Sequence, residues 1–356
     1  MKLCFFIQNL DSGGAERIVA GFANYAVEKG YEVDVVLYQN KVFYELDQRI
    51  NVWCLRDVTK DKNKLTRFLG RHIRRLQFRK YAKKNKPDVV VCLLFPAIYY
   101  ANYKNRKFRL IGQEVSNPAW IKHPKALARK ISYFSSTDKM IYQTERAKDF
   151  YKDINKPYVI IPNPICNNSV YEIPEISYEQ RKNKIVAMGR FVPEKNYQTL
   201  IQAFKLVHDV HPEFTLEIYG NGPTKTQMQE LVEQLGLSTC VSLNQSCPDA
   251  LVKISDAKCY VMSSISEGMP NALMEAMAIG LPCVSTDCPN GPAELICNEE
   301  NGLLVPVEQP QLMADAVIRM IEDEELNKKC SENARKAKID YAQDVIFDKI
   351  LDACIN

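Results

Sequence analysis

At 356 residues, 46% hydrophobic and 25% charged, the chain has an ordinary globular composition and length enough for two domains. No apolar run approaches the roughly 18–20 residues of a membrane span, and the apolar start from Met1 to Ile7 is too short for a secretory leader, so a cytoplasmic protein is expected. The twelve Cys form no Cys-x-x-Cys pair, and Cys4, Cys92, Cys259 and Cys283 lie in apolar runs; they read as reduced core residues. The four His cluster only at His208 and His211, and no metal site is expected. A net charge of +4 conceals an asymmetry: residues 1–170 carry 31 Lys+Arg against 15 Asp+Glu, and the remainder carries 16 against 28. The first half is therefore expected to face an anionic partner.

In chain order the first half alternates strands and helices. Strands are predicted at Lys2–Gln8, Glu32–Tyr38, Asn51–Leu55, Asp88–Leu94, Arg109–Gln113, Asp138–Gln143 and Tyr158–Ile161, with a helix from about Ala15 to Lys29 stopped by Gly30. A Pro- and Asn-rich stretch beginning Pro162-Asn163-Pro164 reads as a linker. The alternation restarts with strands at Lys184–Gly189, Thr215–Tyr219, Val241–Leu243, Ala257–Met262 and Pro282–Ser285, and the C-terminal stretch reads as helical, ending in Val345–Ile355. The pattern implies an α/β protein of two doubly wound, Rossmann-like domains facing across a ligand cleft. The expected boundaries are 1–165 for the first domain, 166–183 for the linker and 184–340 for the second domain. Residues 341–356 are expected to form a helix packing back on the first.

Several strand ends carry residues suited to a polar, phosphate-bearing ligand. The first strand leads into Asp11-Ser12-Gly13-Gly14-Ala15-Glu16, which is either a simple turn or a helix start that accepts an anion. It lacks the Gly-x-Gly-x-x-Gly dinucleotide fingerprint. In the second half, Gly189-Arg190 and Lys195 place two cations after a strand, and Tyr219-Gly220-Asn221-Gly222-Pro223 forms a tight turn where a ligand can approach the backbone. The stretch Ser266-Glu267-Gly268-Met269-Pro270-Asn271, continuing to Gly280, places Pro270 in the first turn of an apolar helix and Gly280 just past its end. Glu275 is the one charge of that helix and needs a partner, either a cation of a neighbouring element or hydroxyls of a ligand. Glu267, eight residues earlier, is either a solvated loop residue or a second ligand contact.

Residues 56–86 hold 13 Lys+Arg against two acids, with Leu65, Phe68, Leu69, Ile73, Leu76 and Tyr81 at helical spacing. This basic amphipathic helix either lays its apolar stripe on the sheet as a solvated cationic helix, or meets an anionic membrane face or a diphosphate-bearing lipid. No nucleic-acid module pattern appears, so nucleic acid is not an expected partner.

Taken together, Gly189-Arg190 with Glu194-Lys195-Asn196, Gly220-Asn221-Gly222-Pro223, Glu267-Gly268-Met269-Pro270 with Glu275, and Cys288-Pro289-Asn290-Gly291-Pro292-Ala293-Glu294 resemble, in order and kind, the retaining glycosyltransferases of family 4 with the GT-B fold. Ser12-Gly13-Gly14-Ala15-Glu16 is similar to that family's N-terminal loop. The likeness covers essentially the whole chain, and it is closest to bacterial enzymes that extend lipid-linked oligosaccharides or surface polysaccharides. It implies that Arg190 and Lys195 grip the diphosphate of a nucleotide sugar and that Glu275 holds the ribose hydroxyls. Glu267 would then contact the donor sugar, with Gly268, Met269, Pro270 and Asn271 lining the pocket. Gly13, Gly14, Gly189, Gly220 and Gly222 would complete donor binding, and Glu294 would be structural. On the acceptor side the candidates are Glu16, Glu114 and Asn117. One position departs: Gly112-Gln113-Glu114-Val115-Ser116-Asn117 has Val115 where many relatives carry His.

The implied reaction is metal-independent transfer of a hexose or N-acetylhexosamine from a nucleoside-diphosphate sugar, with UDP the expected nucleotide, to a polyprenyl-diphosphate-linked glycan. The sequence has no Asp-x-Asp triplet, so no cofactor is expected, and Arg190, Lys195 and the helix start take the leaving-group charge. The expected location is the inner face of the cell membrane, peripherally attached through residues 56–86. The Val115 departure motivates the rival, a non-catalytic sugar-nucleotide-binding subunit.

Overall fold

Uncharged runs such as Val89-Val90-Val91-Cys92-Leu93 become strands buried along their whole length, as parallel sheets covered on both faces require. The computed structural model describes residues 1–11, 13–93, 95–115, 121 and 123–356. The strands are β1 (Lys2–Ile7), β2 (Glu32–Leu37), β3 (Asn51–Cys54), β4 (Val89–Leu93), β5 (Arg109–Glu114), β6 (Lys139–Tyr142), β7 (Tyr158–Ile160), β8 (Lys182–Met188), β9 (Thr215–Tyr219), β10 (Val241–Asn244), β11 (Ala257–Met262), β12 (Cys283–Thr286) and β13 (Leu303–Val305). The helices that matter below are α1 (Gly14–Glu28), α2 (Lys64–Asn85), α3 (Phe95–Ala101), α4 (Pro124–Phe134), α5 (Tyr197–Val210), α6 (Asn271–Ala278) and α7 (Gln343–Ile355). Two units result, one of residues 1–166 with 343–356 and one of residues 167–342.

The first unit holds a seven-stranded sheet in the order β3-β2-β1-β4-β5-β6-β7. Its strand pairings are parallel, and the order reverses between β1 and β4. One face of α1 buries Ile18, Val19, Phe22, Ala23, Ala26 and Val27. The C-terminal α7 belongs to this unit: Phe347 lies 5.1 Å from the Phe22 ring, and Tyr25 donates a hydrogen bond of 2.7 Å to Asp348.

The helix α2 starts on a capping box between Asn63 and Thr66, which satisfies two otherwise orphan N–H groups. It buries Gly70, Arg74, Phe78, Tyr81 and Ala82, with Phe78 stacked on Phe6 at 4.7 Å. Arg74 makes a 2.7 Å ion pair with Asp61 and donates to the Tyr100 hydroxyl at 3.0 Å. Gly70 makes room for that carboxylate, since a Cβ there would lie 2.3 Å from Asp61 Oδ1. Of the two alternatives left open for the apolar stripe, packing on the sheet does not hold for most of it. Tyr81 is buried, but Leu65, Phe68, Leu69, Ile73 and Leu76 are exposed. The helix has two apolar faces, and its buried face is the one whose middle member is an arginine neutralised by Asp61.

The second unit holds a six-stranded sheet in the order β10-β9-β8-β11-β12-β13, again paired in parallel. Leu200, Ile201, Phe204 and Val207 of α5 pack into a core with Ile185, Leu216, Ile218 and Val261. The edge strand β13 was not foreseen, because three residues after Asn301-Gly302 are too few to show a period. Residues 167–183, expected as linker, fall within this unit. Arg181 is buried there and donates to the carbonyls of Ser255, Ala257 and Gly280 and to the Ser331 hydroxyl, at 3.3, 3.0, 2.6 and 3.2 Å. Burial pushes its guanidinium down to about 10, still charged at neutral pH.

Removing one partner of a buried ion pair strands the other charge away from water, at a cost of about 3–5 kcal/mol. Asp61→Ala is therefore expected to lower the unfolding free energy by that amount, measured by urea denaturation, with α2 the first segment to lose amide-exchange protection.

Candidate functional site

In an open parallel sheet, ligands collect beyond the strands' carboxyl ends where the strand order reverses. In the second unit that place lies between β8 and β11, and the residues singled out in the sequence gather there. After β8 come Gly189, Arg190 and Lys195; after β11 comes the loop to Glu267, which runs into α6. The two loops are tied together. Ile265 N–H donates to the Glu194 carbonyl at 2.9 Å, and the Ser263 hydroxyl donates to the Lys195 carbonyl at 2.8 Å. Lys195 Nζ and Glu267 Oε1 then form a half-buried ion pair of 2.5 Å, and Ser264 Oγ donates to the same carboxylate oxygen at 2.6 Å. An ammonium carries three donors, so the pair leaves Lys195 donors for a second anion. Arg190 is exposed.

The loops after β9 and β12 close the group. Gly189 N–H donates to the Tyr219 carbonyl at 3.0 Å, and Phe191 N–H to the Asn221 carbonyl at 2.8 Å. Gly220 passes so near that a Cβ would lie 1.8 Å from the Gly189 carbonyl oxygen; only glycine fits. Beyond β12, Gly291 has φ +91°, and a Cβ there would lie 2.5 Å from both the Gly268 carbonyl and Pro270 Cδ. The Thr286 hydroxyl holds the Ser264 carbonyl at 2.5 Å. The Cys288 thiol is pushed up to about 12 by burial, with the Glu267 charge adding to the rise, so it is a thiol, not a nucleophile, at neutral pH. Burial likewise raises the Tyr197 hydroxyl, whose oxygen has no hydrogen-bond partner among the described residues.

Pro270 is the residue before α6, not its first turn: its φ of −79° and ψ of 93° are extended. Its carbonyl still accepts from Met274 N–H at 3.1 Å. The helix ends as expected at Gly280, φ +76°, where Gly280 N–H donates to Met277 and Leu281 N–H to Ala276, a Schellman stop. Met269 is buried, while Gly268 and Asn271 are half-buried. Glu275 is buried on α6 and accepts from Asn167 Nδ2 at 3.4 Å. Gly222 lies beside the Phe191 backbone, and Glu294 sits in a short helical turn, Pro292–Leu295.

The first unit places its candidates at the carboxyl edge of its own sheet. Gly13 precedes α1, which begins at Gly14, and the Glu16 carboxylate folds back against Gly13, where a Cβ would meet Glu16 Oε2 at 2.0 Å. The chain's own carboxylate thus occupies this helix start. Glu114, at the end of β5, is buried in an ion pair with Lys130 of α4 and accepts from the Tyr151 hydroxyl at 2.8 Å. Asn117 lies outside the described residues. Sequence reasoning missed Ser263, Ser264, Thr286, Asn167 and Tyr197; the Ser264-x-x-Glu267 spacing is the one local signal among them.

These two sheets and the loops at their carboxyl edges define a GT-B glycosyltransferase. Residues 12–167 match the family model described as Glycosyltransferase Family 4 and residues 172–337 the one described as Glycosyl transferases group 1, and the chain belongs to these glycosyltransferases. An uncharacterized glycosyltransferase of Haemophilus influenzae is 26% identical over 98% of each chain. The GalNAc-alpha-(1->4)-GalNAc-alpha-(1->3)-diNAcBac-PP-undecaprenol alpha-1,4-N-acetyl-D-galactosaminyltransferase of Campylobacter jejuni is 27% identical over 96% of this chain and 94% of its own. Among solved structures, Anabaena HepE in complex with UDP superposes with a TM-score of 0.80 at 17% identity, over 99% of each chain.

Overpacking a tight backbone contact costs about 1–3 kcal/mol. Gly220→Ala is expected to reach or exceed the upper end of that range in urea denaturation, because the Cβ meets backbone, whereas Gly236→Ala, with nothing within 4 Å, is expected to show only the penalty of its positive φ.

Proposed function

We propose that this glycosyltransferase moves a hexose or N-acetylhexosamine from a nucleoside-diphosphate sugar, with UDP as the nucleotide, to a hydroxyl of a polyprenyl-diphosphate-linked glycan. The observation that carries the reading is the Lys195–Glu267 pair at the reversal between β8 and β11. It sets a cation and an acceptor of sugar hydroxyls side by side, where the loops after β8 and β11 are tied together. Arg190 and Lys195 meet the diphosphate, and their attraction grows as the leaving group gains charge. Glu275 takes ribose hydroxyls and Glu267 those of the sugar. The undecaprenol-linked substrate in the name of the Campylobacter relative supports the acceptor class.

Transfer proceeds with retention. The acceptor oxygen bonds to the anomeric carbon on the face that the diphosphate leaves, the carbon–phosphate-oxygen bond breaks, and the acceptor proton passes to the departing phosphate. No metal is needed, since protein cations meet the charge. The enzyme works at the inner face of the cell membrane, where a lipid-held acceptor would lie. Val115 favours a second reading, a sugar-nucleotide-binding subunit without transfer. Release of UDP that depends on a lipid-linked acceptor distinguishes the two.

In that assay, run with EDTA in excess, Arg190→Ala and Lys195→Ala are each expected to lower kcat by on the order of 10²–10³, as for loss of one preorganised donor. Wild-type turnover in both variants, or a wild-type rate abolished by EDTA and restored by Mg²⁺, would overturn the scheme. Titration calorimetry should show Glu275→Gln weakening nucleotide-sugar binding by about 1–3 kcal/mol with the fold intact; a lower Tm at unchanged affinity would make Glu275 a structural residue.

A further inference from the structure

Among the described residues nothing covers the outer face of α2. Leu65, Phe68, Leu69 and Leu76 are 66%, 54%, 48% and 62% exposed, and the spacing 65, 68/69, 76 sets them on one line, opposite the buried Gly70, Arg74 and Phe78. Three arginines of this helix are already used inside the unit. Arg74 pairs with Asp61, Arg75 lies 5.5 Å from the Tyr99 ring centre, and Arg79 lies 4.9 Å from that of Tyr103. Of the remaining cations, Lys80 and Lys83 are exposed and continue the apolar line toward the helix end, and Lys84, also exposed, lies 5.2 Å from the Trp53 ring centre. The helix contains no Asp or Glu.

We propose that α2 is an in-plane membrane anchor. Leu65, Phe68, Leu69 and Leu76 enter the boundary between headgroups and acyl chains of an anionic bilayer, and the lysines beyond them meet the headgroup phosphates. An amphipathic helix of this kind sinks about 5–10 Å into the interface, and exposed cations add attraction that salt screens. A second copy of the chain is the wrong occupant. A twofold contact would set this wholly cationic helix against itself, and like charges repel. Among the described residues no helix is long and apolar enough to cross a membrane, so attachment of this surface is peripheral. The inference deepens the reading above, in which a lipid holds the acceptor. It differs from attraction by net charge alone, because the apolar side chains do the anchoring.

The test uses the full chain and vesicles of phosphatidylcholine, alone or mixed with phosphatidylglycerol. The triple variant Leu65→Gln, Phe68→Gln, Leu76→Gln keeps every charge and is expected to bind mixed vesicles at least about tenfold more weakly than wild type. Lys80→Gln with Lys83→Gln and Lys84→Gln is expected to weaken the salt dependence measurably, since it removes three of the helix's six exposed cations. In Phe68→Trp, the emission gained over wild type should shift to the blue on mixed vesicles and be quenched by brominated acyl chains. Undiminished, salt-sensitive binding by the apolar triple variant would overturn insertion, as would an unshifted emission from the Phe68→Trp variant. So would a wild-type dimer in sedimentation velocity that the same substitutions dissociate. The replaced side chains are exposed, so an unchanged Tm confirms folding. Transfer to a short, water-soluble acceptor should match wild type; if wild type itself transfers no sugar, the glycosyl-transfer reading fails while the vesicle result stands on its own.

Discussion

Because the strands of the second sheet all run one way, the loops that follow β8, β9, β11 and β12 emerge along one edge. The reversal of order between β8 and β11 parts the helices there and leaves room for a ligand. Everything at the site depends on that constraint. Lys195 and Glu267 are 72 residues apart in sequence, and neither has local reason to find the other. Parallel pairing of β8 with β11 brings their loops level, and the Ser263 hydroxyl and Ile265 amide lock those loops. The ion pair is the product of the sheet and needs no dedicated element of its own.

The same economy appears in the backbone. Gly220 and Gly291 are places where two loops touch main chain to main chain. Loops held main chain to main chain keep their N–H groups in fixed positions, as swinging side chains do not. Buried polar residues farther out do another task. Arg181 gathers acceptors from three segments, and Asp34 joins Lys2, Tyr81 and Asn51 at 3.0, 2.7 and 3.1 Å. Each holds elements in place only because every strong donor or acceptor has found its match.

Much of this was legible in the amino-acid order. Val33 to Leu37, Val89 to Leu93 and Ala257 to Met262 announce buried strands by composition alone, and their alternation with helices identifies the doubly wound class. The motif residues from Gly189 to Glu275 gather beside the carboxyl edge of the second sheet. What escaped was what depends on partners remote in sequence. Arg74 carries no sequence sign of burial, because Asp61, which neutralises it, lies outside the helix, so the inward face of α2 was not legible. Nor did the sequence show that the carboxylate of Glu16, an acceptor-side candidate, turns back on Gly13. The region from 167 to 183 looked like connecting chain because Pro and Asn dominate its start, while Arg181 at its end is buried among carbonyls.

The first unit is discontinuous: α7 joins it only after the whole of the second unit has intervened. A ribosome delivers residues 1–166 before the second unit, and the helix that packs on Phe22 only after it. At roughly 5–20 residues per second, the intervening stretch takes on the order of ten to thirty seconds. During that time the outer side of α1 is an unfinished surface. Until α7 emerges, the first unit lacks one of the helices that complete it.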